Sequence, residues 1–315
     1  MVKNFKTAKL WALLLYFMSS GIQADSSRVI KVIVPSGFLS SLKGMVVDSP
    51  ALLDGRDYDL PVDKCIPISQ IKAFNFGRPV LDFLIHCQVI RLNKLADTIK
   101  VIQAPNNLRA MKMVAAGDGD VFAMSEFSSV VKNLNESNLL VSAAVLREGE
   151  FEVGLFTAPN RQDVLAVTNV NELMDLTSIS TTSWSSGASS MTKITSNPPV
   201  LVSNYRNIPE MIAKKRADFT THSLSKKFIY DLDGKVSLQR IEGFKLSLPG
   251  ERVFVVNSAS GEYFQALQDF ISSQRDWAKS DEDGILKAFE DIGWISSKYK
   301  DWILINDYFY EGNVN

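Results

Sequence analysis

The chain has little of what most enzyme and metal sites are made from. Among 315 residues there are two cysteines, Cys65 and Cys87, and two histidines, His86 and His222. Their spacing sets no ligand cluster around a metal ion, and no cysteine is paired with a histidine as a nucleophile. A Gly-x-Ser-x-Gly elbow is absent, which removes that route to an activated serine. Charge is also lacking in excess: 34 Lys and Arg stand against 35 Asp and Glu, a formal net of −1. Nucleic acid wants a basic face, so it is not the expected partner. Past the first two dozen residues no apolar run approaches the roughly 18 residues of a membrane span. The mature chain is therefore expected to be soluble. Its 46% hydrophobic content suits one large domain or two modest ones.

The N-terminus departs from this pattern. Lys3, Lys6 and Lys9 precede the apolar stretch 10–18, and Gly21, Ile22, Gln23 and Ala24 follow it. This three-part layout is that of a secretory signal peptide. The expectation is a signal over residues 1–24, cleaved near Ala24, with the mature protein in a periplasm. No cysteine stands directly after the apolar core, so a lipid anchor is not expected. In an oxidising compartment Cys65 and Cys87 are either bridged or two buried thiols, and the sequence leaves both open.

Along the chain, strands alternate with helices. Residues 29–34 read as a buried strand ending at the Pro35-Ser36-Gly37 turn. Apolar residues Leu81, Leu84, Ile85, Val89 and Leu92 have helical spacing. Residues 98–102 and 121–124 read as strands, and Asn106 caps the helix between them. The second part repeats the rhythm, with strands near 154–157, 178–181 and 199–202. Pro209 stands in the first turn of a helix near 208–216, where its missing N–H costs nothing. This alternation implies parallel sheets built from βαβ units.

One internal echo stands out. Residues 113–125 can be laid over residues 211–223 so that Met113 meets Met211, Ala115 meets Ala213, Asp120 meets Asp218 and Ser125 meets Ser223. Each block reads as helix end, turn with aspartate, strand, then serine at the strand's carboxyl end. Ligands of open α/β sheets bind just outside those ends, so Ser125 and Ser223 are expected to face each other across a cleft.

A succession of motifs then resembles the family 3 bacterial extracellular solute-binding proteins. These are the block 108–120, the strand Gly154-Leu155-Phe156-Thr157, the block 208–219 with Arg216-Ala217-Asp218, the return stretch 252–256 with 263–267, and the closing stretch from 283. The resemblance covers nearly all of the mature chain. It implies an α/β fold of the two-lobed type II periplasmic-binding-protein kind, each lobe a mainly parallel sheet flanked by helices, joined by two hinge strands. Lobe 1 would hold residues 25–149 plus 248–315, and lobe 2 residues 150–247. Amino-acid binders of that family hold the ligand's carboxylate with an arginine after the first-lobe strand. The matching stretch here, Ser128 to Asn133 in sequence, has none. They hold the ligand's ammonium with an aspartate where Ser223 stands. Lys132 does not reproduce a bidentate guanidinium contact, so the solute is left open.

Candidate ligand contacts follow the strand ends. Thr182, Ser183, Trp184 and Ser185 lie where a strand meets a helix, supplying N–H groups, hydroxyls and a ring for stacking. The bland alternative is a helix cap with a solvated turn. Ser36, Gly37 and Phe38 follow the first strand. Ser125 and Glu126 end another, and His222 and Ser223 a third. Trp277, Phe289, Trp294 and Trp302 read as packing. The expected function is capture of a small polar solute by lobe closure, as a monomer, with no cofactor and no metal, for a membrane importer or a membrane receptor. An enzyme on this fold would have to use Glu126 and His222 as an acid–base pair, so catalysis is not expected.

Overall fold

The structure is a computed structural model and describes residues 28–36, 38, 57–70, 77–182, 185–224, 226–231, 233–275, 284–295 and 299–306. The expected signal segment 1–24 lies outside the described residues. The first half runs through β1 (Val29–Pro35), β2 (Tyr58–Pro61), α1 (Arg78–Leu92), β3 (Thr98–Ala104), α2 (Asn107–Ala116), β4 (Val121–Phe122), β5 (Glu126–Phe127), α3 (Ser128–Leu134) and β6 (Leu139–Val141). The second half follows with β7 (Glu152–Thr157), α4 (Gln162–Leu165), α5 (Val170–Met174), β8 (Ile179–Thr181), α6 (Ser185–Thr192), β9 (Val200–Val202), α7 (Ile208–Ala213), β10 (Thr220–Ser223), β11 (Phe228–Tyr230) and β12 (Val236–Ser247). The chain returns through β13 (Arg252–Val253), β14 (Val255–Asn257), α8 (Gly261–Gln274), α9 (Ile285–Asp291) and β15 (Ile303–Leu304).

Local chemistry sets these elements. Asn106 caps α2, its Oδ1 accepting from the Arg109 N–H at 2.9 Å, one of the orphan donors of a helix start. α1 has Pro79 in its first turn, where proline is tolerated. It buries Val80, Leu81, Phe83, Leu84, Ile85, Val89 and Ile90. A helix apolar on so many sides needs cover on more than one, and α8 and α9 supply part of it. Cys65 and Cys87 are joined by a disulfide with Cα atoms 5.9 Å apart, tying the stretch after β2 to the middle of α1.

The first sheet has the order β2-β3-β1-β4-β14-β6. β1 runs parallel to both β3 and β4, and β14 enters antiparallel between β4 and β6. In the second half β8 lies parallel to β9, and a parallel bridge, Ser178 to Phe219, joins it to the residues that lead into β10. β7 then enters antiparallel between β10 and β12. The two halves therefore share one plan. A first strand lies between the second and third, a strand arriving from the other half follows antiparallel, and a fourth completes the set. This is the two-lobed α/β arrangement of the type II periplasmic-binding-protein fold. The strands at the heart of each set are parallel, and antiparallel pairs occur where the visiting strand is inserted and also at the edges, β2 on β3 and β11 on β12.

The sequence echo falls on equivalent places in this plan: the end of α2, a turn and β4 in one half, the end of α7, a turn and β10 in the other. The C-terminal stretch adds something further. β15 pairs with β12 of the second sheet, and Asn306 holds Ser247 from both sides, accepting from its N–H and donating to its carbonyl. Residues 303–306 thus extend the second sheet, although they fall within the stretch 248–315 assigned from sequence to the first lobe. The main core runs from the first sheet through the waist, and Phe156, Ile179, Ile208, Ile212 and Leu238 belong to a smaller cluster in the second half.

Candidate functional site

The carboxyl ends of β1, β3 and β4 carry a continuous polar rim. At the end of β1 the Ser36 hydroxyl donates to the Pro105 carbonyl at 2.8 Å. Two residues on, the Asn107 side chain donates to Glu126 at 3.2 Å. Glu126 also accepts from the Phe127 N–H at 3.0 Å and stands 3.8 Å from Arg252. Beside it, Ser125 is fully buried. Its N–H and its hydroxyl both donate to Asp82 Oδ2, each at 2.9 Å.

Two guanidinium groups close on the same serine. Arg78 Nη1 donates to Asp82 Oδ2 at 2.5 Å, to the Ser125 hydroxyl at 3.1 Å and to its carbonyl at 3.2 Å. Arg252 Nε donates to the Ser125 hydroxyl at 3.2 Å, and its Nη2 to the Ser125 carbonyl. Arg252 is buried and stacks on Phe127 and Phe151, its guanidinium carbon 4.6 and 5.3 Å from their centroids. Burial, then the neighbouring Arg78, brings its pKa down to about 9. Burial likewise raises the Asp82 carboxyl above its usual range, against the pull of Arg78 and Arg252. A carboxylate and a guanidinium sealed together stay only because each is paired.

The second half presents Thr181, Thr182, His222 and Ser223. The Thr182 N–H is taken by the Val202 carbonyl at 3.0 Å. His222 sets its ring edge-on to Phe156, 5.6 Å away, and its Nδ1 accepts from the Ser223 N–H at 2.8 Å. That bond leaves the neutral ring's proton on Nε2. Burial, with Lys226 nearby, lowers its pKa to about 4. Ser223 is buried, with its hydroxyl 3.4 Å from the carbonyls of Ile292 and Gly293.

The two strand ends meet one aromatic pair. Ser125 is held by Arg252, which stacks on Phe151; Phe151 stacks on Trp294 with centroids 4.6 Å apart; and the preceding residue, Gly293, lies against Ser223. Phe38 goes elsewhere: it is buried against Phe83, 5.8 Å between centroids. Gly37, Ser183 and Trp184 lie outside the described residues, as does the side chain of Ser185. Glu126 and His222 each have partners of their own and no bond to one another among the described residues. No group of three or more His, Cys, Asp and Glu that could hold a metal ion occurs among the described residues. A shallow depression of about 390 Å³ lies on the second half, lined by residues including Pro159, Asn160, Pro209 and Val236. None of the expected contact residues lines it.

Sequence reading missed Arg78, Asp82, Asn107 and Arg252. A signal was present for the first two. An arginine and an aspartate four residues apart share one helix face, and this aspartate is embedded among Val80, Leu81, Phe83, Leu84 and Ile85.

No family model matches the chain, and no curated protein matches it. Solved structures do show similarity. An amino-acid ABC transporter substrate-binding protein, AbpA from Streptococcus pneumoniae, bound to L-arginine, is 13% identical, with 84% of this chain and 96% of that one covered and a TM-score of 0.44. The periplasmic VFT2 domain of Bordetella pertussis BvgS is 14% identical over 90% of this chain and 97% of that one, TM-score 0.48. The GluR0 ligand-binding core from Nostoc punctiforme, in complex with L-glutamate, is 10% identical over 84% and 98%, TM-score 0.44. The strand order of the chain itself, and not these overlays, carries the fold.

Proposed function

We propose that the chain is an exported receptor for a small polar solute, taken up between the two lobes and presented to a membrane importer. One observation carries this reading. The carboxyl ends of the third strand in both halves, at Ser125 and Ser223, converge on the stacked pair of Phe151 and Trp294. Ligands of α/β sheets bind outside such strand ends, and closure about a hinge is a recurring way to trap them. Ser36, Gly37, Phe38, Ser125, Glu126, Thr182, Ser183, Trp184, Ser185, His222 and Ser223 are the contacts proposed from the sequence. Of these, Ser36, Glu126, Thr182 and His222 keep side-chain surface at the rim.

Lobe 1 is taken as residues 25–149 with 248–315 and lobe 2 as 150–247, with β15 lent across the waist. No described helix is long and apolar enough to cross a membrane, and a periplasmic location rests on the layout of residues 1–24. Binding without catalysis is the proposed mode. Glu126 is engaged by Asn107 and Phe127, and the His222 Nδ1 lone pair is engaged by Ser223.

The test is a thermal-shift screen of the mature protein against amino acids, sugars, carboxylates and inorganic anions. A ligand at a hundred times its Kd adds roughly 2.7 kcal/mol of stability. A specific upward shift supports the reading, and no shift with any class counts against it. Co-purification from detergent-solubilised membranes distinguishes an importer from a signalling receptor as the partner.

A further inference from the structure

β11 is a free edge of the second sheet. Among the described residues it pairs with β12 and with no other strand. The Arg240 N–H donates to the Lys227 carbonyl at 3.0 Å, and the Asp231 N–H to the Lys235 carbonyl at 2.8 Å. Between them the Ser237 hydroxyl donates to the Ile229 carbonyl at 3.1 Å. Lys227, Ile229 and Asp231 therefore turn backbone groups inward. In an extended strand the alternate residues, Phe228 and Tyr230, turn theirs outward. Such an edge is a template for another strand, and Tyr230 is 58% exposed on it.

The residues of this edge say which strand fits it. Lys227-Phe228-Ile229-Tyr230-Asp231 is complementary to its own reverse. An antiparallel copy centred on Ile229 sets Phe228 opposite Tyr230, and Lys227 opposite Asp231, on both sides of the twofold axis. The outward backbone groups favour the same register. The N–H and carbonyl of Phe228 meet the carbonyl and N–H of Tyr230 in the copy, and the axis repeats the exchange. A parallel copy in register would instead set lysine on lysine and aspartate on aspartate, which repel.

Both charges are exposed, and one is already fixed: Asp231 Oδ1 accepts from the N–H groups of Asp233 at 3.0 Å and Lys235 at 2.8 Å. A lysine alone on an edge keeps other strands away, whereas a lysine at one end and an aspartate at the other select one partner and one direction. The other edges offer no such match. β2 contains Pro61, and the residues flanking β6 (Asn138 and Ser142) and β9 (Pro199 and Ser203) are uncharged. Beside β11, Val236 is 37% exposed and lines the shallow depression with Pro159 and Pro209, adding apolar surface. We propose that β11 docks on β11 of a second copy of this chain, joining the two second sheets in a twofold dimer, against the expectation of a monomer. A contact this short lies at the weak end of specific interfaces, so the dimer should form as concentration rises.

The test is sedimentation velocity on the mature full chain, without added solute, from about 5 μM to about 1 mM, a range that covers weak dimers. The expected result is a monomer–dimer equilibrium. Lys227→Glu should weaken it about tenfold or more, because two attractive cross-strand pairs become two repulsive ones. Asp231→Lys should do the same. Each variant then repels itself, but an equimolar mixture of the two restores opposite charges at both places and should dimerise again at about wild-type strength. Lys227→Glu alters only an exposed side chain. Asp231→Lys also removes an acceptor from the turn, so circular dichroism checks its fold. If it does not fold, Asp231→Asn keeps the acceptor, removes the charge and should still weaken the dimer. A wild type that stays monomeric throughout overturns the proposal. So does a dimer that Lys227→Glu leaves unchanged, since it must use another surface. Because no solute is present, neither result bears on the receptor reading.

Discussion

Asp218 holds Thr177 by the same pair of hydrogen bonds with which Asp120 holds Lys31. The Asp120 N–H donates to the Lys31 carbonyl at 2.8 Å, and its Oδ2 accepts from the Lys31 N–H at 2.7 Å. The Asp218 N–H donates to the Thr177 carbonyl at 2.7 Å, and its Oδ2 accepts from the Thr177 N–H at 2.7 Å. In each half the aspartate clasps the first parallel strand, or the residue two before it, to the third. The helices before them end alike. The Asp118 N–H returns to the Met113 carbonyl at 3.0 Å and the Arg216 N–H to the Met211 carbonyl at 2.9 Å. The sequence echo is thus an echo of hydrogen bonds, which supports two halves of common design.

The two helix ends differ at one place, and that gives a stability prediction. Gly117 takes the left-handed conformation with φ 85°, and Lys215 takes it with φ 57° in the matching place. A side chain in that region costs roughly 1–2 kcal/mol, while glycine adopts it freely at some cost in unfolded-state entropy. Lys215→Gly should therefore stabilise the protein by about 0.5–1 kcal/mol, read as a higher urea midpoint at unchanged slope. A lower midpoint would show that the lysine compensates through contacts of its own.

The disulfide closes a loop with a sequence separation of 22. Loop-closure entropy for that length is worth about 3 kcal/mol. The Cys65→Ser/Cys87→Ser double variant is expected to lose about that much by urea denaturation. Thiol titration of unreduced, denatured wild type should find no free thiol, and two free thiols per chain would refute the bridge.

Both histidines are held neutral, and this sets a pH dependence. His86 is buried, its Nδ1 2.5 Å from the Tyr263 hydroxyl and its ring edge-on to Phe254; burial lowers its pKa to about 3. His222 is lowered to about 4. Unfolded, each would take up a proton near pH 6.5. Between that value and the folded pKa the unfolded state binds more protons, so stability rises with pH and is lost as pH falls. At full slope each histidine contributes about 1.4 kcal/mol per pH unit. Unfolding free energy should drop between pH 6.5 and 5, before most carboxylates titrate. His222→Gln should flatten that drop by about half, and an unchanged slope would exclude His222 as a source.

How far the sequence could be read follows from where each contact comes from. Asn106 as a cap and Pro209 in a first turn are local signals realised within their own helix starts, whereas the paired aspartates show in the sequence only as a repeat, because their partners Lys31 and Thr177 stand on other strands or beside them. The strand alternation gave the parallel pairs. The charged rim was not legible in full because Arg252 arrives from the returning strand to meet Ser125 across the fold. Phe38 stands in the turn region after β1, where family resemblance suggested a ligand contact, yet it packs on Phe83 of α1 because a ring there buries more apolar surface than a rim site would. Likewise nothing local in residues 299–306 says that they cross to the second sheet.

Arg240 shows what holds that crossing in place. Its Nη1 donates to the Leu224 carbonyl and, at 2.8 Å, to the Tyr299 hydroxyl. Its guanidinium carbon lies 4.8 Å from the ring centroids of both Tyr299 and Trp302, and its Nη2 reaches Glu242 at 3.1 Å. One buried side chain on β12 thus fixes the stretch that leads into β15. Planarity is what lets it serve two rings and several acceptors at once. Arg240→Lys keeps the charge and removes the plane. The expected loss is roughly 1–3 kcal/mol, from a cation–π contact and a hydrogen bond that an ammonium cannot make together. Because the contacts gather on Tyr299 and Trp302, beside β15, the effect should be local before it is global. Limited proteolysis followed by mass spectrometry should release the segment from residue 299 onward several times faster in the variant, while the rest of the chain stays protected. Equal release rates in both proteins would mean that the β15–β12 pairing and Asn306 hold the segment without Arg240.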